Sequence, residues 1–332
     1  MIMEINKAIL HIIDKDSGQL ICSQAELDLR EFHVSQYMET ILKRLDKGEY
    51  KHGILSEDNE IVPFIKEVQT DFIKATQDIA QSMFDVLAIS EDAPSGDVLF
   101  LDTQDSEDNH SLVVIKFNYK PQFTHHVTYV DDVMQNNIIL NRTVFPSVTQ
   151  KIDECFIVNL NDLATRVIEK RYMFEGEKRF YFTERLLQLD PLPTVSEKLK
   201  IVKKAVKQVA KRYNEEEYVS MSQAQQAIFE SIESDGIIDT QKVADVVFKD
   251  NISAKEEYQE IIEKTKFTED IPENIVKYEK KYSKQKFKLA NGIELSIPSD
   301  VFNDPNMVEF INNPDGTVSV MIKNIEEIIS KF

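Results

Sequence analysis

The sequence has 332 residues, 42% of them hydrophobic, enough to bury a full core and to form two domains. Its formal net charge of −19 makes the average surface repel nucleic acid, so any DNA contact must come from local basic patches. No apolar run approaches the roughly 18 residues of a helical membrane span, and no basic region precedes an apolar one at the N-terminus, so neither a spanning helix nor a secretory signal is expected.

Two cysteines, Cys22 and Cys155, stand far apart and read as free thiols in a reducing cytoplasm. The charge is uneven. Residues 1–150 hold 25 Asp/Glu against 12 Lys/Arg, and the remainder 33 against 27. Both basic patches of note fall in the second half.

In chain order, Ile5–Ile13 and Gln19–Cys22 predict an opening hairpin over the turn Asp14–Gly18. Helical patterns follow at 30–46 and 60–87, with Ser56 or Asp58 as the cap of the second. Strand-like runs come next in close order: Asp97–Thr103, Ser111–Tyr119, Phe123–Val130, Asn137–Thr143 and Cys155–Leu160. Their short spacing predicts antiparallel pairing. Residues 161–172 read as a helix and 178–183 as a strand or helix start.

The prolines of Leu189-Asp190-Pro191-Leu192-Pro193-Thr194 mark a linker. Helices are expected beyond it near 195–213, 220–232, 239–248, 254–265 and 273–283. Two hairpins then close the chain. In the first, a loop at Ala290–Gly292 puts Leu289 opposite Ile293 and Phe287 opposite Leu295. In the second, Pro314 and Gly316 form the turn. These patterns predict an α+β protein: a mixed N-terminal domain (1–190) with a largely antiparallel sheet plus helices, and a mostly helical C-terminal domain (191–332) closed by β-hairpins.

Catalytic chemistry leaves no mark. No G-x-G-x-x-G occurs, and Gly48 and Gly53 have Walker spacing but are followed by Ile54 and Leu55 rather than Lys and Ser/Thr. His125-His126 with Asp131-Asp132 collects metal-ligand types, but neighbours on a strand point to opposite faces. Asp14–Gly18 departs from a calcium loop in its glycine position and lacks the closing glutamate. No nucleophile elbow surrounds any serine. The expectation is a non-enzyme with no catalytic residue, no metal site and no cofactor.

Lysines supply the positive signal. Val195, Leu199, Val202, Val206, Val209 and Tyr213 make one apolar seam, with Lys200, Lys203, Lys204, Lys207 and Lys211 on one flank and Lys198 and Arg212 on the other. A solvated helix face normally mixes signs, so a nearly pure lysine stripe points to phosphate contact without base reading. The competing reading is a surface helix that pairs with acids of its own chain. A second patch repeats the logic: Ile275, Tyr278 and Tyr282 form a seam, Lys277, Lys280, Lys281 and Lys284 project from the other side, and Lys286 and Lys288 continue along the next strand. Aromatic and basic residues also interleave from Arg171 to Arg185, where core packing is the stronger reading.

Three segments resemble the bacterial nucleoid-associated protein family (the NdpA/YejK-like group). The strand Ile5-Asn6-Lys7-Ala8-Ile9-Leu10-His11-Ile12-Ile13 is similar to its N-terminal strand, Gly53-Ile54-Leu55-Ser56-Glu57-Asp58-Asn59-Glu60 to its helix entry, and Phe287–Ile325 to its closing hairpins. Val243-Ala244-Asp245-Val246-Val247-Phe248 fits the helical middle. The sequence departs from familiar members in keeping only Asn291-Gly292 of a longer glycine tract, and in ending on an expected helix, Ile325–Phe332. The resemblance implies a cytoplasmic protein located with the chromosome. Its partners would be double-stranded DNA, met directly through the lysine patches or indirectly through a DNA-processing protein held by the acidic surface, and further copies of itself as a homo-oligomer.

Overall fold

A computed structural model describes residues 4–141, 144–145, 147, 150–271, 275–302 and 304–329. The chain divides into two compact units, Met1–Thr194 and Val195–Phe332.

The first unit is built on a seven-stranded, wholly antiparallel sheet. Its strands are β1 (Glu4–Asp14), β2 (Gln19–Ile21), β3 (Lys51–Ile54), β4 (Gly96–Gln104), β5 (His110–Asn118), β8 (Cys155–Asn159) and β9 (Ala164–Ile168), in the order β2-β1-β4-β5-β8-β9-β3. β4, β5 and β8 are continuous apolar runs because helices cover both faces. One face packs Ile9, Val98, Phe100, Val114 and Phe156 beneath α2 (Val62–Glu67) and α3 (Phe72–Ala88). The other packs Ala8, Leu99, Val113, Ile115 and Ile157 beneath α1 (Phe32–Leu45). Alternate residues of one strand thus enter two cores.

Two more hairpins belong to this unit, β6 (Gln122–Val130) with β7 (Val133–Asn141) and β10 (Arg171–Phe174) with β11 (Glu177–Phe180). A π-helical turn, Tyr181–Leu186, follows the second. Glu169 holds that turn: its Oε2 accepts from the backbone N–H of Phe182 (3.0 Å) and Thr183 (2.9 Å).

Several expectations are corrected here. Residues 161–172 are not a helix but contain β9 and the start of β10; Thr165 and Val167 are buried between β8 and β3, and β-branched residues suit that pleated surface. The helix over 60–87 is two helices. The chain breaks at Val68–Asp71, and the Asp71 side chain caps α3 by accepting from Lys74 N (3.1 Å). Neither Ser56 nor Asp58 caps α2; Asn59 Oδ1 accepts from Ile61 N (3.0 Å). Strand β3 takes the first two residues of the apparent helix entry, Gly53 and Ile54. Its Gly53 has a physical reason, because a Cβ there would stand 2.8 Å from the Leu189 side chain. The proline segment is accordingly anchored: Leu189 is buried and Leu192 N donates to His52 O (2.7 Å).

The second unit opens with five helices, α4 (Val195–Arg212), α5 (Glu217–Asp235), α6 (Thr240–Val247), α7 (Ile252–Glu263) and α8 (Ile275–Tyr282). Leu199, Val202, Val206 and Val209 of the α4 seam enter one core with Ile228, Val243, Tyr258, Tyr278 and Tyr282. Each buried valine contributes roughly 1.5–3 kcal/mol. Side chains of Asp239 and Asn251 cap α6 and α7, and Gly236 ends α5 at φ +69°.

The closing hairpins are β12 (Lys284–Lys288) with β13 (Glu294–Pro298), then α9 (Ser299–Phe302), then β14 (Val308–Asn312) with β15 (Val318–Ile322). The expected cross-strand pair Phe287 and Leu295 is present, and Leu289 N donates to Ile293 O (2.8 Å). Phe287, Phe302 and Phe310 pack together with ring centroids 5.3–5.6 Å apart and tie the hairpins to each other. The final helix is corrected: residues 325–329 have no regular structure, and 330–332 lie outside the described residues. Ile325, Ile328 and Ile329 have helical spacing but stay exposed, and so short a helix without a core to bury in is marginal.

Candidate nucleic-acid interface

Lys203 apart, the basic residues of α4 separate into three groups. Lys200, Lys204 and Lys211 are exposed and make no ion pair among the described residues. Lys207 and Arg212 are also exposed but meet carboxylates, Lys207 Nζ at 2.6 Å from Glu217 and Arg212 at 2.8 Å from Glu257. Acids of neighbouring helices in the same unit therefore claim part of the stripe. Lys198 is a correction, since its side chain is 2% exposed. Its Nζ donates to Thr268 Oγ1 (2.5 Å) and Asp270 O (2.8 Å), with the Asp270 carboxylate at 3.6 Å. Burial lowers its pKa while Asp270 raises it. Such a lysine fastens the 268–270 loop to α4 and cannot meet a phosphate.

The sequence held the signal for this. At 100° per residue Lys198 falls beside Ala205 on the helical wheel, and Ala205 and Ala210 are both buried. The apolar arc is therefore wider than the six large residues of the seam.

The second patch is exposed throughout: Lys277, Lys280, Lys281, Lys284, Lys286 and Lys288 all reach solvent. Lys277 lies over the Tyr278 ring at 5.4 Å, and Lys288 stands 3.9 Å from Glu294 across the hairpin. What sequence reasoning missed is that the two patches join at Tyr282. Lys203 Nζ of α4 lies 5.3 Å from the Tyr282 ring centroid and Lys281 Nζ of α8 lies 5.7 Å from the same centroid. Lys203 is half-buried, and its pKa is lowered first by that burial and then by the charge of Lys281. Two like charges are thus held on one ring, with no carboxylate paired to either among the described residues. No spacing within either helix could have revealed this joint.

Beside it runs a groove of about 820 Å³ in the same unit, with Met221, Phe287, Phe310 and Val320 among its apolar walls. Lys203, Lys286 and Lys288 stand on its lining, and so do Glu216 and Glu217.

The other candidates resolve into structure. In the Arg171–Arg185 segment Tyr172, Phe174, Tyr181 and Phe182 are buried, and the Phe180 ring is occupied by Lys51 (3.1 Å) and Arg171 (4.1 Å). His125 and His126 sit opposite Ile138 and Asn137 on different faces of the β6–β7 hairpin. Among the described residues no group of three or more His, Cys, Asp or Glu gathers as a metal site. Asp14–Gly18 is a turn in which Asp14 Oδ1 accepts from Ser17 N. Both cysteines are free, and burial pushes the Cys155 thiol up to about 12.

The family model described as nucleoid-associated protein YejK matches residues 9–329. The chain belongs to this family. No curated protein matches the chain. Membership gives a bacterial, cytoplasmic protein of the nucleoid, and an α+β fold carries that role here. No helix among the described residues is long and apolar enough to cross a membrane. The net charge is −19, and at Tyr282 two lysines stand over one ring with no paired carboxylate among the described residues.

Proposed function

We propose that this nucleoid-associated protein contacts double-stranded DNA directly, through phosphates met by Lys200, Lys203, Lys204 and Lys211 of α4, by Lys277, Lys280 and Lys281 of α8, and by Lys284 at the start of β12. One observation carries the reading: Lys203 and Lys281 are brought onto the same tyrosine ring without a counter-charge. Holding like charges together is unfavourable until an anion lies between them, and a phosphate backbone supplies one. All these cations are lysines, which act as point charges on flexible stems and lack the fork that reads guanine edges. The contact is therefore indifferent to base sequence. Glu216 and Glu217 repel phosphate from the neighbouring groove, so the duplex lies across the helices rather than along the groove.

From Lys200 to Lys211 the helix covers roughly 16 Å, which limits one copy to about four or five phosphates with its α8 partners. The test is a titration of a labelled duplex across salt concentrations. Affinity should fall with a log–log slope of about −4 and be similar for unrelated sequences. Reversing Lys200, Lys204 and Lys211 to Glu should abolish binding with the far-UV circular dichroism unchanged, because the buried seam is untouched. Absence of wild-type binding even at low salt overturns the reading and leaves the adaptor model, in which the acidic surface recruits a DNA-processing protein.

A further inference from the structure

The β6–β7 hairpin is the least covered element of the N-terminal unit. Its two nine-residue strands pair with each other and with no further strand among the described residues. The register places Phe123, His125, Val127 and Tyr129 on one face, beside Leu140, Ile138, Asn136 and Met134. The opposite face is mostly Gln, Thr, Asn and His126. On the apolar face Phe123 is 77% exposed, Tyr129 72%, Met134 59% and Ile138 80%. An isolated two-stranded hairpin is marginal in water, and contiguous apolar patches of this kind mark contact surfaces.

We propose that this face joins two copies of the chain, the arms lying antiparallel across a two-fold axis. Charge is the first argument for a second copy. Each copy carries −19, so two copies repel wherever their general surfaces meet, but neither strand of the arm contains a single Asp, Glu, Lys or Arg. The ends of the arm then complement each other. Asp131 and Asp132 form the tip, both in the left-handed conformation (φ 49° and 62°) that a two-residue hairpin turn requires. At the base, exposed Lys120 and Lys151 line one recess with Phe117. Asp153 of the same recess is already paired with Lys170 at 2.7 Å. Antiparallel stacking sets each acidic tip against the basic base of the other arm, and a two-fold axis makes both contacts at once.

Area is the second argument. Six side chains (Phe123, Val127, Tyr129, Met134, Ile138 and Leu140) offer on the order of 700 Å² per copy, close to the roughly 800 Å² per partner of a standard interface. The arm is about 30 Å long, enough to carry that contact without involving either core. None of the lysines assigned to DNA lies on it, so the two readings stand or fall separately.

Sedimentation velocity of the full chain at tens of micromolar should give the mass of two chains. Ile138→Lys with Phe123→Lys should give the mass of one chain with unchanged circular dichroism, since neither side chain reaches a core. Reversing the tip with Asp131→Lys and Asp132→Lys should weaken association at least about tenfold by placing lysines against Lys120 and Lys151. Adding Lys120→Glu and Lys151→Glu should restore it. That charge-swap rescue decides the matter even where the double lysine variant fails to fold. A wild-type protein that sediments as one chain overturns the proposal, as does a folded double lysine variant that remains paired. A swapped tip and base that fails to restore association overturns the antiparallel arrangement proposed here.

Discussion

Positively charged side chains meet opposite fates in the two units. In the N-terminal unit Lys116 lies wholly inside the sheet, with its Nζ 3.5 Å from Glu154 Oε2 and donating to Pro94 O (3.0 Å) and to Asn118 Oδ1. Asn118 in turn donates to Glu154 at 2.6 Å. Lys51 is likewise held by Glu169 at 2.9 Å. In the C-terminal unit most lysines of α4 and α8 remain on the surface, and Lys203 and Lys281 crowd one ring. Burial forces a cation to find a carboxylate, because an unpaired charge in the interior is prohibitively desolvated. Solvent imposes no such demand, so an unpaired cluster outside persists and stays open to an external anion.

The largest effect should come from breaking the buried pair. Lys116→Ala leaves the buried Glu154 side chain without its counter-charge, held by the Asn118 amide at Oε2 while Oε1 already lacks a hydrogen-bond partner. The loss should be about 3–5 kcal/mol in urea unfolding, and Lys116→Met with Glu154→Leu should recover part of it. An exposed Lys200→Ala should fall within about 0.5 kcal/mol. Equal losses at the two positions would erase the distinction between the units.

A second break uses pH. His11 is buried, accepting at Nδ1 from Ser23 N (3.1 Å) and placing Nε2 3.1 Å from Thr76 Oγ1. Desolvation lowers its pKa from 6.5 to about 4. The unfolded chain therefore binds the proton more readily, and stability is present above pH 6.5 and lost as pH falls toward 4. The loss is at most about 3 kcal/mol. His11→Gln should flatten this part of the pH profile of the urea midpoint. A wild-type profile already flat between those values would show that His11 is protonated without penalty.

How much of this was legible follows the same division. Strands β4, β5 and β8 announced themselves as apolar runs, and the α4 and α8 seams as helical spacing, because burial along one element leaves a period in the sequence. β9 did not: Leu163, Val167 and Ile168 also suit a helix, and only pairing with β8 and β3 decides for a strand. The lysine stripe was legible as a stripe, and the apolar arc through Ala205 marked Lys198 as inward-facing, but the partners that these side chains find were not legible. Lys198 goes inward because the loop at Thr268–Asp270 offers it oxygens, and Lys207 and Arg212 are claimed by Glu217 and Glu257 on other helices. Those are long-range facts with no local signature. The joint at Tyr282 belongs to the same class.

Within α4 the contrast can be sharpened between two neighbours. Lys198→Ala should lower stability by about 1–3 kcal/mol, since Thr268 and Asp270 lose a buried charged donor, and should leave DNA affinity unchanged. Lys200→Ala should do the converse, weakening DNA binding severalfold at low salt with stability intact. Unfolding and DNA titration on the same two preparations provide the check. Loss of DNA affinity in a folded Lys198→Ala protein would place the interface on the wrong side of the helix.

The smallest expected effect tests whether Lys207 belongs to the DNA face at all. Glu217 holds it at 2.6 Å, and both side chains are at least half exposed, so the pair contributes little to stability. Glu217→Gln should change unfolding by less than about 0.5 kcal/mol. It also removes a negative charge from the groove beside Lys203 and frees Lys207, which lies on the same flank as Lys200, Lys204 and Lys211. One further phosphate contact should raise DNA affinity about threefold and steepen the salt slope by about 1. A changed affinity with an unchanged slope would mean that only the general field was altered. No change in either would place the duplex toward α8, with Lys207 serving α5 alone.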